Sequence, residues 1–164
     1  MSSPSETGLI LGREHRDNLA LLARVEQAMQ RSGGGDHVND PEAIRLVRSL
    51  CEHMTHDLAR HFAFEEEELF PRMVAAGEGD IPELLTEEHD AIRAVGGELT
   101  PLVGVAAGGT LDAEGWNRLR RLALELVERL LAHVEKEEMS LVPLLDDLLD
   151  DETDRALALG YASS

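Results

Sequence analysis

Cysteine is almost missing from this 164-residue sequence: Cys51 is the only one. An intramolecular disulfide and a cysteine-built zinc site are both excluded. The opening stretch, MSSPSETGLILGREH, has no apolar run long enough for a secretory signal or a membrane span, which fits a reducing, cytoplasmic setting. Positive charge is short as well. Fifteen Lys and Arg against 33 Asp and Glu leave a formal net charge of −18. Such a chain repels phosphate backbones and anionic lipid, so nucleic acid and membrane are excluded as natural partners, while cations are attracted. Two metal-site patterns are absent. There is no H-E-x-x-H zinc-protease motif. Leu58, Thr86 and Leu130 stand three residues before His61, His89 and His133, so the Glu-x-x-His repeat of ferritin-like carboxylate proteins is missing too.

Leu, Ala, Glu and Arg dominate, and aromatics make up only 3%. These straight-chain residues and Ala lose little rotamer freedom in a helix. Apolar residues recur at helical spacing from about Leu9 to Arg31 (Leu19, Leu22, Val25, Met29), ending at Ser32 and three glycines. Asp40-Pro41 is a cap followed by a proline suited to the first turn. It opens a second helix with Ile44, Val47, Leu50 (or Cys51), Met54 and Leu58 on one face, running at least to Phe70, where Pro71 kinks or ends it. A third helix opens at Asp80 to Pro82 and is softened by Gly96, Gly97, Pro101 and Gly104. A fourth, capped by Asp112, carries Leu119, Leu122, Leu126, Leu130 (or Leu131) and Val134 and is punctuated by Pro143. The acidic run Asp146 to Asp154 leads into a short terminal helix through Leu159. The expected fold is all-α: a single domain over residues 1–164, an antiparallel up-down-up-down four-helix bundle over about residues 8–148 with an acidic tail at 149–164.

One pattern occurs twice. HFAFEEEELFP (61–71) and HVEKEEMSLVP (133–143) share H-x-x-x-E-E-x-x-L-x-P, and each follows a weaker echo, Glu14-His15 or Glu88-His89. Four residues turn a helix by about 400°, so His61 and Glu65 share a face, as do His133 and Glu137. Counted from the connecting turns, His15 and His61 lie at similar heights, and so do His89 and His133. Met54, Leu58 and His61, like Leu126, Leu130 and His133, step with the inward rhythm of their helices. Four imidazoles and two carboxylates in one core layer would be costly unless something binds them. A pair of first-row ions suits that donor set, iron leading with manganese or zinc as alternatives, and each Glu could bridge the pair.

The motifs HFAFEEEELFP, EEHD, HVEKEEMSLVP and the early EHR resemble the hemerythrin-like HHE cation-binding domain over roughly residues 8–148. The resemblance implies a four-helix bundle holding two iron ions, bridged by two carboxylates and usually an oxo or hydroxo group. His15 and His61 would bind one iron, His89 and His133 the other, and Glu65 and Glu137 would bridge. Oxygen-carrying hemerythrins add a fifth histidine one turn from the third-helix ligand, where this chain has Leu85 and Arg93. Their last bridging carboxylate is an Asp five residues after its His, whereas Glu137 follows at four. The set is more similar to the non-carrier branch: iron sensors, repair proteins for iron centres, and bacterial proteins linked to peroxide or nitric oxide. The cysteine-bearing N-terminal segment of the repair proteins is not present.

Other residues read more blandly. Glu66 and Glu138 either bond a ligand imidazole or face solvent, and Asp57 is a weaker candidate for such support. His53 and His56 read as partly exposed and His37 as a loop residue. Phe62, Phe64 and Phe70 read as core and a water-excluding collar. Tyr161, the only tyrosine, lies in the tail, leaving a tyrosyl-radical mechanism without an obvious residue. The function expected is binding of, or reaction with, a small oxidant (peroxide, O₂ or NO), or iron sensing. Metal storage, regulation and a plain helical interaction module stand as alternatives. The chain is expected to be a monomer or homodimer.

Overall fold

The computed structural model describes residues 4–164. The expected loose polar start at residues 1–7 falls partly outside them. Within them, Ser5 already caps the first helix, its hydroxyl accepting from the Gly8 N–H at 2.9 Å. The helices are α1 (Glu6–Arg31), α2 (Pro41–His53), α3 (Ala59–Phe64), α4 (Phe70–Ala75), α5 (Asp80–Ala107), α6 (Ala113–Leu148) and α7 (Asp151–Ala162). No strand occurs among the described residues. No helix there is long and apolar enough to cross a membrane. α1 packs on α2 and α6, and α5 on α2 and α6, closing a ring of neighbours around one interior.

Local chemistry explains the starts. Asp40 accepts from Ala43 N–H at 3.0 Å, and Pro41 follows in the first turn. Asp112 accepts from Gly115 N–H at 2.7 Å at the head of α6. At the other end of α1, the carbonyls without helical partners go to α6: Trp116 donates to Ser32 O at 2.9 Å and Arg120 to Met29 O at 2.7 Å.

The prolines do not stop their helices. α2, α3 and α4 follow one another through two widened, π-type turns, Met54–Leu58 and Glu65–Leu69. The second precedes Pro71, whose ring and missing N–H spoil the ordinary pattern. The helix widens until Phe70 N–H reaches Glu65 O, and the Arg72 side chain donates to the Glu68 carbonyl at 2.7 Å. α6 instead runs straight through Pro143. The carbonyl left without a helical partner there belongs to Met139, a residue 74% exposed, so the missing bond falls on the solvent side of the helix. α5 is continuous as well. A Cβ on Gly96 would stand 2.6 Å from Met54 Cε, so this glycine admits a neighbouring side chain rather than hinging the helix.

The inward stripe of α1 is Leu11, His15, Asn18, Leu22, Val25 and Met29. Leu19, one position round from Asn18, is 38% exposed and is not core as expected. The apolar interior falls into two clusters. One holds Leu22, Val47, Leu99, Trp116 and Leu126 among others; the second holds Leu11, Phe70, Met73, Leu85 and Leu141 among others. His15, His61, Glu65, His89, His133 and Glu137, buried but polar, belong to neither.

The acidic tail folds back. Ser5 N–H donates to Asp146 at 2.8 Å, and Asp154 accepts from Glu6 N–H at 2.8 Å and Thr7 N–H at 2.9 Å. Carboxylates at a helix N-terminus satisfy free donors and meet the positive end of the helix dipole. Burial opposes ionisation of Asp154, but these N–H groups hold its carboxyl below the ordinary range. Asp154→Ala is therefore expected to destabilise the chain by about 1–2 kcal/mol, read as a melting temperature lower by about 2–4 °C for each kcal/mol. An unchanged melting temperature would mean that Asp154 does not hold α7 to α1.

Candidate metal centre

All six inward-facing His and Glu residues meet in one layer. His15 comes from α1, His61 from α3, Glu65 from the widened turn after it, His89 from α5, and His133 and Glu137 from α6. The imidazoles are at most 2% exposed and both carboxylates 0%. The His15 and His61 rings are 5.1 Å apart, those of His89 and His133 4.7 Å.

The carboxylates divide their oxygens between the two histidine pairs. Glu65 Oε2 is 3.2 Å from His61 Nε2, and its Oε1 is 3.1 Å from His89 Nε2. Glu137 Oε1 is 2.8 Å from His15 Nε2 and 3.5 Å from His61 Nε2, while its Oε2 is 3.1 Å from His133 Nε2. Two groups able to hold a metal ion result, His15–His61–Glu65–Glu137 and Glu65–His89–His133–Glu137, with both glutamates common to both.

The contacts fit a cation better than hydrogen bonds. Both Glu65 oxygens and Glu137 Oε2 are buried with no hydrogen-bond partner, an arrangement that leaves a charge poorly compensated. His89 Nε2 and His133 Nε2 face each other at 3.1 Å. Two nitrogens each about 2.1 Å from one ion and near a right angle to each other stand about 3.0 Å apart.

Behind each ring stands a glutamate. His15 Nδ1 is 2.7 Å from Glu138, His89 Nδ1 2.6 Å from Glu66, and His133 Nδ1 2.7 Å from Glu88. His61 Nδ1 is 3.4 Å from Glu14. A carboxylate accepting the Nδ1 hydrogen leaves the Nε2 lone pair free to face inward and makes it more basic. Two of these supports gain a cation: Arg93 donates to Glu66 Oε1 at 3.0 Å, and Lys136 donates to Glu88 Oε2. Sequence reading singled out Glu66 and Glu138 but missed Glu14 and Glu88. The signal was the repeated Glu-His dipeptide, in which each Glu supports the histidine of the partner helix rather than its own neighbour.

Charge follows the geometry. Burial alone would push the Glu137 carboxyl up, but the imidazoles of His133, His15, His61 and His89 hold it well below the ordinary carboxylate range. Burial likewise disfavours protonated imidazole. The facing carboxylates outweigh it, so the pKa of His15 is raised, that of His61 is raised strongly, and that of His89 reaches about 9.

Phe62 stacks on His89 with centroids 3.7 Å apart, and Phe70 lies 5.8 Å from the same ring. Phe64, grouped with them in the expected collar, packs instead against Tyr161, with centroids 4.6 Å apart. Asp57 does not support His61; it is exposed and sits 3.4 Å from His53. His53 is partly exposed and His56 exposed. Tyr161 departs most from expectation. It is 4% exposed, and its hydroxyl lies 2.7 Å from Glu14 Oε2 and closer still to Oε1. The tail position concealed it because only the fold-back of α7 brings it to α1.

A search of curated proteins finds no match to the chain. The family model of the hemerythrin HHE cation-binding domain matches residues 10–145, a span that contains the whole His–Glu layer and its four supporting glutamates. The chain belongs to the hemerythrin HHE cation-binding domain family.

Proposed function

We propose that the chain is an antiparallel four-helix bundle that holds two iron ions and binds or reacts with a small oxidant, peroxide, O₂ or NO. His15 and His61 take one ion, His89 and His133 the other, and Glu65 and Glu137 span both. The observation carrying this reading is the division of oxygens: each buried glutamate offers one oxygen to one histidine pair and the other to the second. A single ion would leave half of these donors unused.

Four imidazole nitrogens and four carboxylate oxygens give each ion two of each. That mixed N/O set suits first-row divalent ions. When bound, iron would supply exchangeable coordination positions and redox change to a small ligand. The chain's own residues do the rest. Glu66, Glu88 and Glu138 hold the Nδ1 hydrogens and aim the Nε2 atoms inward. Phe62 and Phe70 keep water from the His89 side. Two inner and four outer carboxylates offset the charge of two dications.

A sensing role is favoured by a different observation. The layer links two apolar clusters and is built from four separate stretches of helix, so occupancy is coupled to the stability of the whole fold. The two readings differ in turnover: repeated consumption of peroxide supports oxidant chemistry, whereas a large metal-dependent melting shift without turnover supports sensing.

Protein purified under iron-replete conditions is expected to contain about two irons per chain with oxygen-to-iron charge-transfer absorption, and His61→Ala to lose both features. Absence of metal in the wild type, even after anaerobic Fe(II) reconstitution, would sink the proposal.

Removing metal also has a pH signature. The raised pKa values of His15, His61 and His89 contribute stability that is fully present below the ordinary imidazole value of 6.5 and lost as pH rises through their folded values, about 9 in the case of His89. The depressed carboxyl of Glu137 contributes stability present above the ordinary 4.5 and lost on acidification. The metal-free chain is therefore expected to melt at progressively lower temperature from pH 6.5 to 9. The metal-loaded chain, whose ligands must be neutral imidazoles, holds or gains over the same range. Parallel melting curves for the two forms would contradict the assignment.

A further inference from the structure

The two histidine pairs are alike in their inner residues and unlike in what stands behind them. Glu66 gives one oxygen to His89 and the other to Arg93; Glu88 gives one to His133 and the other to Lys136. Each of these carboxylates serves two partners without conflict. Glu14 does not. The Tyr161 hydroxyl, with a single proton to donate, lies nearest Glu14 Oε1, the same oxygen that faces His61 Nδ1, and is also 2.7 Å from Oε2. His61 is left at 3.4 Å, past the usual range for an N–H···O bond, while the other three rings are at 2.6–2.7 Å.

We propose that Tyr161, by occupying Glu14, makes His61 the most weakly supported of the four imidazoles, so that the His15–His61 position is the exchangeable one and the His89–His133 position the retained one. This rests on the two-ion reading above. Tyr161 is then a positioning residue, and α7 sets the affinity of one ion position alone. The phenol is well placed for it. Phe64 packs against its ring at 4.6 Å, and the Arg60 guanidinium lies 4.5 Å over it. Arg60 donates to Ser164 O rather than pairing with Glu14.

The surroundings of this pair agree. A cleft of about 350 Å³ opens beside His61, lined by Glu14, Asp17, His53, Asp57, Arg60 and His61 itself. Three carboxylates and two imidazoles against a single guanidinium give that passage a net attraction for cations. On the other side, Phe62 and Phe70 cover His89, and Arg93 lies 5.5 Å from the Phe62 ring. The weakly supported ligand and the open approach therefore fall on the same position.

Chelator-driven release from full-length protein loaded with two Co(II) ions, followed by visible absorption, tests this. One ion is expected to leave about tenfold faster than the other, the scale on which outer hydrogen-bond partners alter metal affinity. In Tyr161→Phe, Glu14 is free to turn to His61. The fast phase should then slow toward the slow one, with the slow phase unchanged. Release of both ions at one rate, or a fast phase that Tyr161→Phe leaves alone or quickens, overturns the inference while leaving the two-ion reading in place. A chain that takes up no Co(II) overturns both. The metal-free wild type offers a second readout independent of the variant's folding. In ¹H–¹⁵N spectra of the histidine rings, the His61 Nδ1 hydrogen should exchange with water faster than those of His89 and His133; equal protection overturns the inference.

Discussion

Glu65 and Glu137 have no contact with solvent, and an ionised carboxylate taken so far from water costs several kcal/mol unless positive charge or donors meet it. The rest of the molecule is arranged around that requirement. Four imidazoles from four stretches of helix surround the two side chains, and a further glutamate stands behind each ring, close enough to fix it for His15, His89 and His133. Arg93 and Lys136 then steady two of these outer glutamates. Charge thus alternates from the centre to the surface. Removing any one ring leaves its carboxylate neighbours without compensation in a medium that screens little.

The apolar residues have a complementary role. Because the polar layer lies between two hydrophobic clusters, neither cluster can form around a misplaced histidine without stranding its partners. Local backbone adjustments serve the same end. The widened turn at Glu65–Leu69 carries the helix past Pro71 while keeping Glu65 inward. Gly96 allows Met54 to close over α5. Such departures from regular geometry gather where the chain must aim a side chain.

Much of this was legible in the sequence, because the inner layer is written with rare residues at fixed spacing. His61 with Glu65 and His133 with Glu137 are local pairs on one turn of helix, and helix periodicity alone brings them together. The heights of His15 and His89 followed from counting residues to the turns. The parts that were not legible depend on contacts between distant segments. Tyr161 reaches Glu14 only through the return of α7, which rests on Asp154 finding the N-terminus of α1. Glu14 and Glu88 support histidines on other helices, so their role cannot be seen within either helix's own pattern. The different fates of Pro71 and Pro143 also escaped the repeat, since the same eleven-residue pattern is widened in one copy and regular in the other.

The contact between α7 and α1 has a consequence in time. Glu14 is among the earliest described residues to leave a ribosome, and Tyr161 among the latest. Helices α1 to α6 can begin to collapse during synthesis, and at that stage Glu14 has only His61 to serve. The mature competition for its carboxylate begins once α7 emerges and docks. On the competition proposed above, the order of translation would leave Glu14 to His61 until α7 arrives, so the difference between the two histidine pairs would be completed by a helix made after both pairs are in place.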